Sequence, residues 1–168
     1  MTKKLLFKVR TLIVFFICGL LVSGITAFPL EWELSTLCHL LNIPITDTAI
    51  VDGGLSGWLA QVMLGLTATG QHYPFLFYGT DWLAFAHIVI AALFVGPLIN
   101  PERNVWVIYW GMFACLAVIP TAFICGSIRG IPFFWQLIDC SFGVIGIIPL
   151  WMCLHYIRRI KEIGISYK

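Results

Sequence analysis

Four long apolar stretches, residues 11–28, 82–99, 105–126 and 133–156, constrain this chain more than any other feature. Each approaches the roughly 20 residues that an α-helix needs to cross a hydrocarbon core about 30 Å thick. Within such a core every backbone amide must find its partner inside the protein, so each stretch is expected to be helical. Composition agrees, with 60% hydrophobic and 11% charged residues, where an ordinary soluble domain carries about 25% charged. A water-soluble domain is excluded, and 168 residues leave no room for a transporter built from repeated six-span halves. The expected fold class is all-α: a polytopic membrane protein with a four-helix transmembrane bundle and an outer amphipathic helical cap. It would form a single membrane domain over residues 1–168, with residues 29–80 as the outer segment.

The cations set the orientation, because Lys and Arg beside short loops resist translocation. Lys3, Lys4, Lys8 and Arg10 precede the first span, Arg103 sits in the turn after the second, and Arg158, Arg159, Lys161 and Lys168 follow the core of the last. Only Arg129 falls on the other side. With four spans, both termini are then cytoplasmic, in a bacterial inner membrane. The acids Glu31, Glu33, Asp47, Asp52 and Asp81 fall on the outer side, with Asp139 near it. A net charge of +2 gives no basis for nucleic-acid binding; the expected partners are the lipid bilayer and either a membrane-protein partner or a second copy of the chain. The first span is read as a retained helix, since its apolar run exceeds the roughly 7–15 residues of a signal-peptide core and no A-x-A site follows.

The outer segment carries two helical patterns. Leu30, Leu34, Leu37 and Leu41 recur at helical spacing behind Pro29, with Glu31 and Glu33 near the favourable N-terminal end. Asn42-Ile43-Pro44 ends that run. Leu55, Trp58, Leu59, Val62, Met63 and Leu66 then form a stripe after Asp52-Gly53-Gly54, as in a helix lying at the bilayer surface.

Helices in lipid associate through small and polar residues. Such faces are expected at Gly19, Ser23 and Ala27; at Ala84, His87 and Ala91; at Ala114, Ala117, Thr121 and Cys125; and at Asp139, Gly143 and Gly146. At about 1.5 Å per residue, Ser23, His87, Thr121 and Asp139 all lie roughly 8–10 Å inside the outer ends of their spans. Asp139 is the one acid placed well within a span, where charge is costly and usually functional. Its expected partners are His87 by depth and Arg129 at the rim, with Asp81 nearby. Two readings of this candidate polar site stay open. In one, these groups staple the helices. In the other, they form an outward-facing site that binds a lipid or quinone headgroup or moves protons, with His87 titrating and Asp139 orienting it.

No cofactor is expected. His87 and His155 lie near opposite edges and cannot share one haem; His39 or His72 would have to reach His87 from the outer segment. A metal site from His39, His72, Glu31 and Glu33 would have suitable ligand types but lacks a recognised spacing. The six cysteines include no CxxC pair, which argues against thiol–disulfide exchange. Cys38 bonded to Cys125 or Cys140, or buried as a small apolar side chain, are both open. Pro120 and Pro149 are expected to bend their helices.

The run Gly24-Ile25-Thr26-Ala27-Phe28-Pro29-Leu30-Glu31-Trp32-Glu33-Leu34, the run from Tyr78 to His87, and the segment from Arg129 through Asp139 to Gly143 resemble small bacterial four-span inner-membrane proteins with no assigned activity. The resemblance implies the location and the helix layout and transfers no residue role. Two function classes follow: a non-enzymatic accessory or structural protein, or a membrane-embedded binding or proton-handling module at His87 and Asp139.

Overall fold

The computed structural model describes residues 2–165. All of its regular structure is helical: α1 (Thr2–Thr26), α2 (Leu30–Leu40), α3 (Asp47–Asp52), α4 (Gly54–His72), a 3-10 turn (Pro74–Phe77), α5 (Tyr78–Leu93), α6 (Val95–Ile99), α7 (Val105–Ile128) and α8 (Phe133–Ile165). Four segments are long and apolar enough to cross a membrane: Lys3–Thr26, Pro74–Ile99, Val105–Ile128 and Phe133–Ile163. The chain is thus a multi-pass, all-α membrane protein. Lys168 and the side chain of Asp52, both used in the charge argument, lie outside what is described.

Each span but the third extends well beyond its apolar core, because polar residues continue a helix outside hydrocarbon at no cost. The second is not continuous. Pro97 has no N–H to give the Leu93 carbonyl, and the helix breaks at Phe94, whose own N–H lies 3.4 Å from the Ile90 oxygen and 3.1 Å from that of Ala91. Helices α7 and α8 run through Pro120 and Pro149 without such a break.

Two compact units make up the chain, one joining the described residues up to Leu20 with those from Val89 onward, the other formed by Leu21–Ile88. In the first, all four spans contribute to one buried cluster: Val9 and Ile13 from α1, Phe94 from the break between α5 and α6, Val107 and Ile108 from α7, and Leu150, Cys153, Ile157 and Ile160 from α8. This is the four-helix bundle. Phe94 fills its middle, 4.7 Å between ring centroids from Phe16. Gly111 makes room for it, since a Cβ there would lie 2.6 Å from Phe94 Cζ. Arg10 donates to the carbonyls of Leu98 (3.1 Å) and Ile99 (3.2 Å), and Lys8 stands 5.4 Å from the Tyr156 ring centroid. These contacts gather the start of α1, the end of α6 and the last turns of α8 at one end of the unit, the end that also carries Arg103, Arg158, Arg159 and Lys161.

Helices α7 and α8 meet where glycine removes the side chain. A Cβ on Gly143 would collide with the Cys115 carbonyl oxygen, and one on Gly146 would lie 2.9 Å from Cys115 Sγ. The connection at Arg129 is a glycine-capped helix end: Gly130 has φ +70°, Gly130 N–H donates to Ser127 O (3.3 Å) and Ile131 N–H to Gly126 O (2.9 Å).

In the second unit, α2 ends with the same bond pattern around Asn42, at φ 53°: Asn42 N–H donates to His39 O (3.2 Å) and Ile43 N–H to Cys38 O (2.9 Å). Thr67 of α4 donates to Glu31 Oε1 of α2 at 3.2 Å, and α4 buries Gly57, Leu59, Ala60 and Met63.

Several expected faces are corrected. In α1, Gly19 and Ser23 are exposed and Gly24 is buried, against α5, where its Cβ would lie 3.0 Å from Ala84 O. In α2 the buried residue is Cys38, while Leu37 and Leu41 are exposed. In α4, Leu55 is exposed. In α7, it is Cys115 that Gly143 of α8 presses on, not the small-residue row beside it, and Thr121 and Cys125 are exposed. Large side chains and bare glycine backbone decide these interfaces, and small residues alone do not. Ala84 and Ala91 of α5 are buried as expected.

Candidate functional site

The small-residue row of α7 that does not pack against α8 lines an open groove of about 490 Å³ beside it. Trp110 and Phe113 stand toward one end, Ala114 and Ala117 form the α7 wall, and Thr121 and Asp139 supply its polar groups. From Trp110 to Thr121 the groove follows α7 for about 17 Å. The Gly143 contact with Cys115, one turn along α8 from Asp139, brings the two helices together there by backbone packing.

The two polar side chains differ in what they have left to offer. Thr121 donates its hydroxyl to Ala117 O at 2.8 Å, the usual way a helical threonine satisfies itself in an apolar setting. Asp139 is half-buried and, among the described residues, makes no hydrogen bond or ion pair. A carboxyl group offers up to four acceptor positions. The groove therefore presents a long apolar wall and one uncommitted carboxyl, in a volume within the roughly 300–1,000 Å³ range of small-molecule sites.

The remaining expected site residues are placed as follows. Arg129 is exposed and ends α7, its N–H donating to Cys125 O at 3.1 Å. Ser23, Asp81 and His87 belong to the unit formed by Leu21–Ile88. His87 is half-buried, with Nδ1 2.8 Å from Leu83 O. A carbonyl only accepts, so Nδ1 is the donor in this contact. Gly24 lies against the same residue, its Cβ position 3.0 Å from His87 Cβ. Asp81 is half-buried in the first turn of α5, a favourable place for an acid. Thr121 and Asp139 are thus the expected pair that the structure unites in one groove.

The Leu21–Ile88 unit has its own open pocket, about 490 Å³, where Glu31, Trp32 and Ser35 of α2 face Met63 and Phe77; the Glu31 carboxylate there is already bonded to Thr67. All six cysteines are free thiols. Cys38 is fully buried, and burial pushes its thiol above the ordinary value. Among the described residues no three His, Cys, Asp or Glu side chains gather closely enough to hold a metal ion. A contact missing from the sequence reading is Arg158 Nη2 to Tyr109 Oη at 3.3 Å; the only available signal was that Tyr109 and Arg158 fall near the same end of neighbouring spans. No protein-family model, curated protein or solved structure matches this chain.

Proposed function

We propose that this chain is a non-enzymatic protein of a bacterial inner membrane, with both termini cytoplasmic, that holds an amphipathic molecule dissolved in the bilayer. The molecule lies along α7 with its apolar body on Ala114 and Ala117 and its head at Asp139. The observation that carries this reading is the uncommitted carboxyl of Asp139 at an otherwise apolar groove. An intramembrane acid is expensive and marks function by default, and here it does not hold the helices together. The head it favours donates hydrogen bonds, as a quinol hydroxyl or an amine does. Proton handling by His87 with Asp139 orienting it is the weaker reading, because His87 Nδ1 bonds Leu83 O of its own helix and Asp139 makes no hydrogen bond among the described residues.

A ligand that binds only the folded state raises the melting temperature with concentration. Decylubiquinol added to the detergent-purified protein is the probe. We expect a saturable rise for the wild type and a half-saturation point about tenfold higher for Asp139→Asn, the loss of one carboxyl acceptor. Identical titrations for the two proteins would count against Asp139 as the head-binding group.

A further inference from the structure

A second site lies at the cation-rich end of the bundle; it shares no lining residue with the Asp139 groove and is independent of its reading. We infer that Tyr109, Trp151, His155 and Arg158 bind the phosphate headgroup of an anionic phospholipid. These side chains line a pocket of about 320 Å³ between α7 and α8 whose floor is Met112 and Leu154. Arg158 donates to the Tyr109 hydroxyl at 3.3 Å. That bond steadies the guanidinium at the pocket and uses one of its five N–H donors, leaving others in the planar fork that suits phosphate oxygens. Trp151 and His155 stack at 6.2 Å between centroids with their planes 22° apart, forming an aromatic wall below the charge.

Depth favours a lipid over a soluble ion. Tyr109 lies about 6 Å past the start of α7, and Arg158 falls five residues before Ile163, the end of the span. This is the interfacial level, where aromatic rings with polar edges concentrate and where phospholipid phosphates sit. The apolar floor would take the first carbons of an acyl chain, for which a free phosphate ester has no use. Tyr109 and Trp151 are exposed, so the pocket opens sideways to the bilayer. Charge selects the headgroup. No acid lines the pocket, and on this stretch of α8 Arg158, Arg159 and Lys161 outnumber Glu162, so the local charge favours the phosphate over the ammonium of a zwitterionic lipid. Basic pockets between transmembrane helices recognise anionic headgroups in this way.

The test reconstitutes the full chain in phosphatidylcholine bilayers and compares spin-labelled phosphatidylglycerol with spin-labelled phosphatidylcholine by electron paramagnetic resonance. The motionally restricted fraction gives their relative association constant. The wild type is expected to prefer phosphatidylglycerol about fivefold, the effect of one cation at a headgroup. Arg158→Gln should bring the ratio close to one, whereas Arg159→Gln, one position away, should retain most of it. Excess soluble glycerol phosphate should not free the restricted label. No preference in the wild type, an unchanged ratio in Arg158→Gln, or an equal loss in both arginine variants would overturn the site, the last by assigning the preference to diffuse surface charge. Release by glycerol phosphate would overturn the lipid assignment. If Arg158→Gln does not reconstitute, Arg158→Lys and Tyr109→Phe decide: each should lower the ratio, and wild-type ratios in both would overturn the proposal.

Discussion

Single atoms settle the contact between α7 and α8. Gly143 has no side chain, and a methyl group in its place would run into the backbone oxygen of Cys115, which cannot swing aside as a side chain can. Gly143→Ala is therefore expected to destabilise the fold by about 1–3 kcal/mol, the usual cost of overpacking. Gly19→Ala meets nothing within 4 Å and should leave thermal unfolding in detergent unchanged or slightly raised. Both residues fall in the small-residue rows read from the sequence, and only the structure separates them. Spacing reveals that a glycine shares a helix face; it does not reveal whether a neighbouring backbone arrives there. Asp139 was legible for a different reason. Its oddity is chemical, an acid in an apolar run, and that needs no coordinates to be seen. The sequence already put Thr121 at the depth of Asp139; what it could not convey was that Thr121 spends its hydroxyl on its own helix.

Cys38 supplies a second prediction at this scale. The buried thiol holds its proton beyond the ordinary value of 9.0, so at pH above 9 the unfolded chain has lost a proton that the folded chain keeps. Stability is then fully present below that pH and declines as pH rises through the interval up to the folded-state value. Melting temperatures at pH 8 and pH 10 should fall further apart for the wild type than for Cys38→Ala. An equal separation would show that the thiol contributes nothing to the alkaline loss.

Elements in this chain begin and end where backbone chemistry requires. Asn42 and Gly130 take up positive φ and let the following residue close back on the helix end. Asn42 was readable as a stop because Pro44 follows it. The break at Phe94 is hidden in an apolar run that reads as one uninterrupted span, although Pro97 carries the signal. Once interrupted, the end of α6 leaves carbonyls to satisfy, and Arg10 meets those of Leu98 and Ile99 from a helix almost ninety positions away. Removing the guanidinium with Arg10→Gln should cost about 1 kcal/mol. Proteolysis or hydrogen exchange should show the loss first at α6 and at the Asn100–Asn104 turn, where Asn104 Nδ2 also bonds Gly96 O and Asn100 O at 3.0 Å each. Uniform loosening along all four spans would contradict this capping role.

For the whole molecule, the distribution of charge carried most of the information. Every described Lys and Arg except Arg129 sits at the end of the bundle where α1 starts and α8 finishes, and the contacts of Lys8 and Arg10 draw that end together. Fluorescent-protein fusions, which fold only in the cytoplasm, should be bright at either terminus, and a periplasmic phosphatase inserted after Gly130 should be active. The reverse pattern would invert the orientation. The four spans were legible because hydrocarbon thickness fixes a helix length. The short helices of residues 29–80 were legible only in part, since a surface helix can turn any of several stripes inward and Cys38, rather than the leucine row, is what α2 buries.

The α7–α8 groove is proposed to hold a molecule drawn from the bilayer. Native mass spectrometry of protein purified directly from membranes in mild detergent tests it, comparing the wild type with Ala117→Phe, which fills the groove wall while leaving Asp139 and the Gly143 contact in place. The prediction is a non-covalent adduct of roughly a few hundred daltons, the size such a volume admits, present on the wild type and lost from Ala117→Phe. Identical spectra from two equally stable proteins would contradict it, leaving the groove as bare lipid-facing surface.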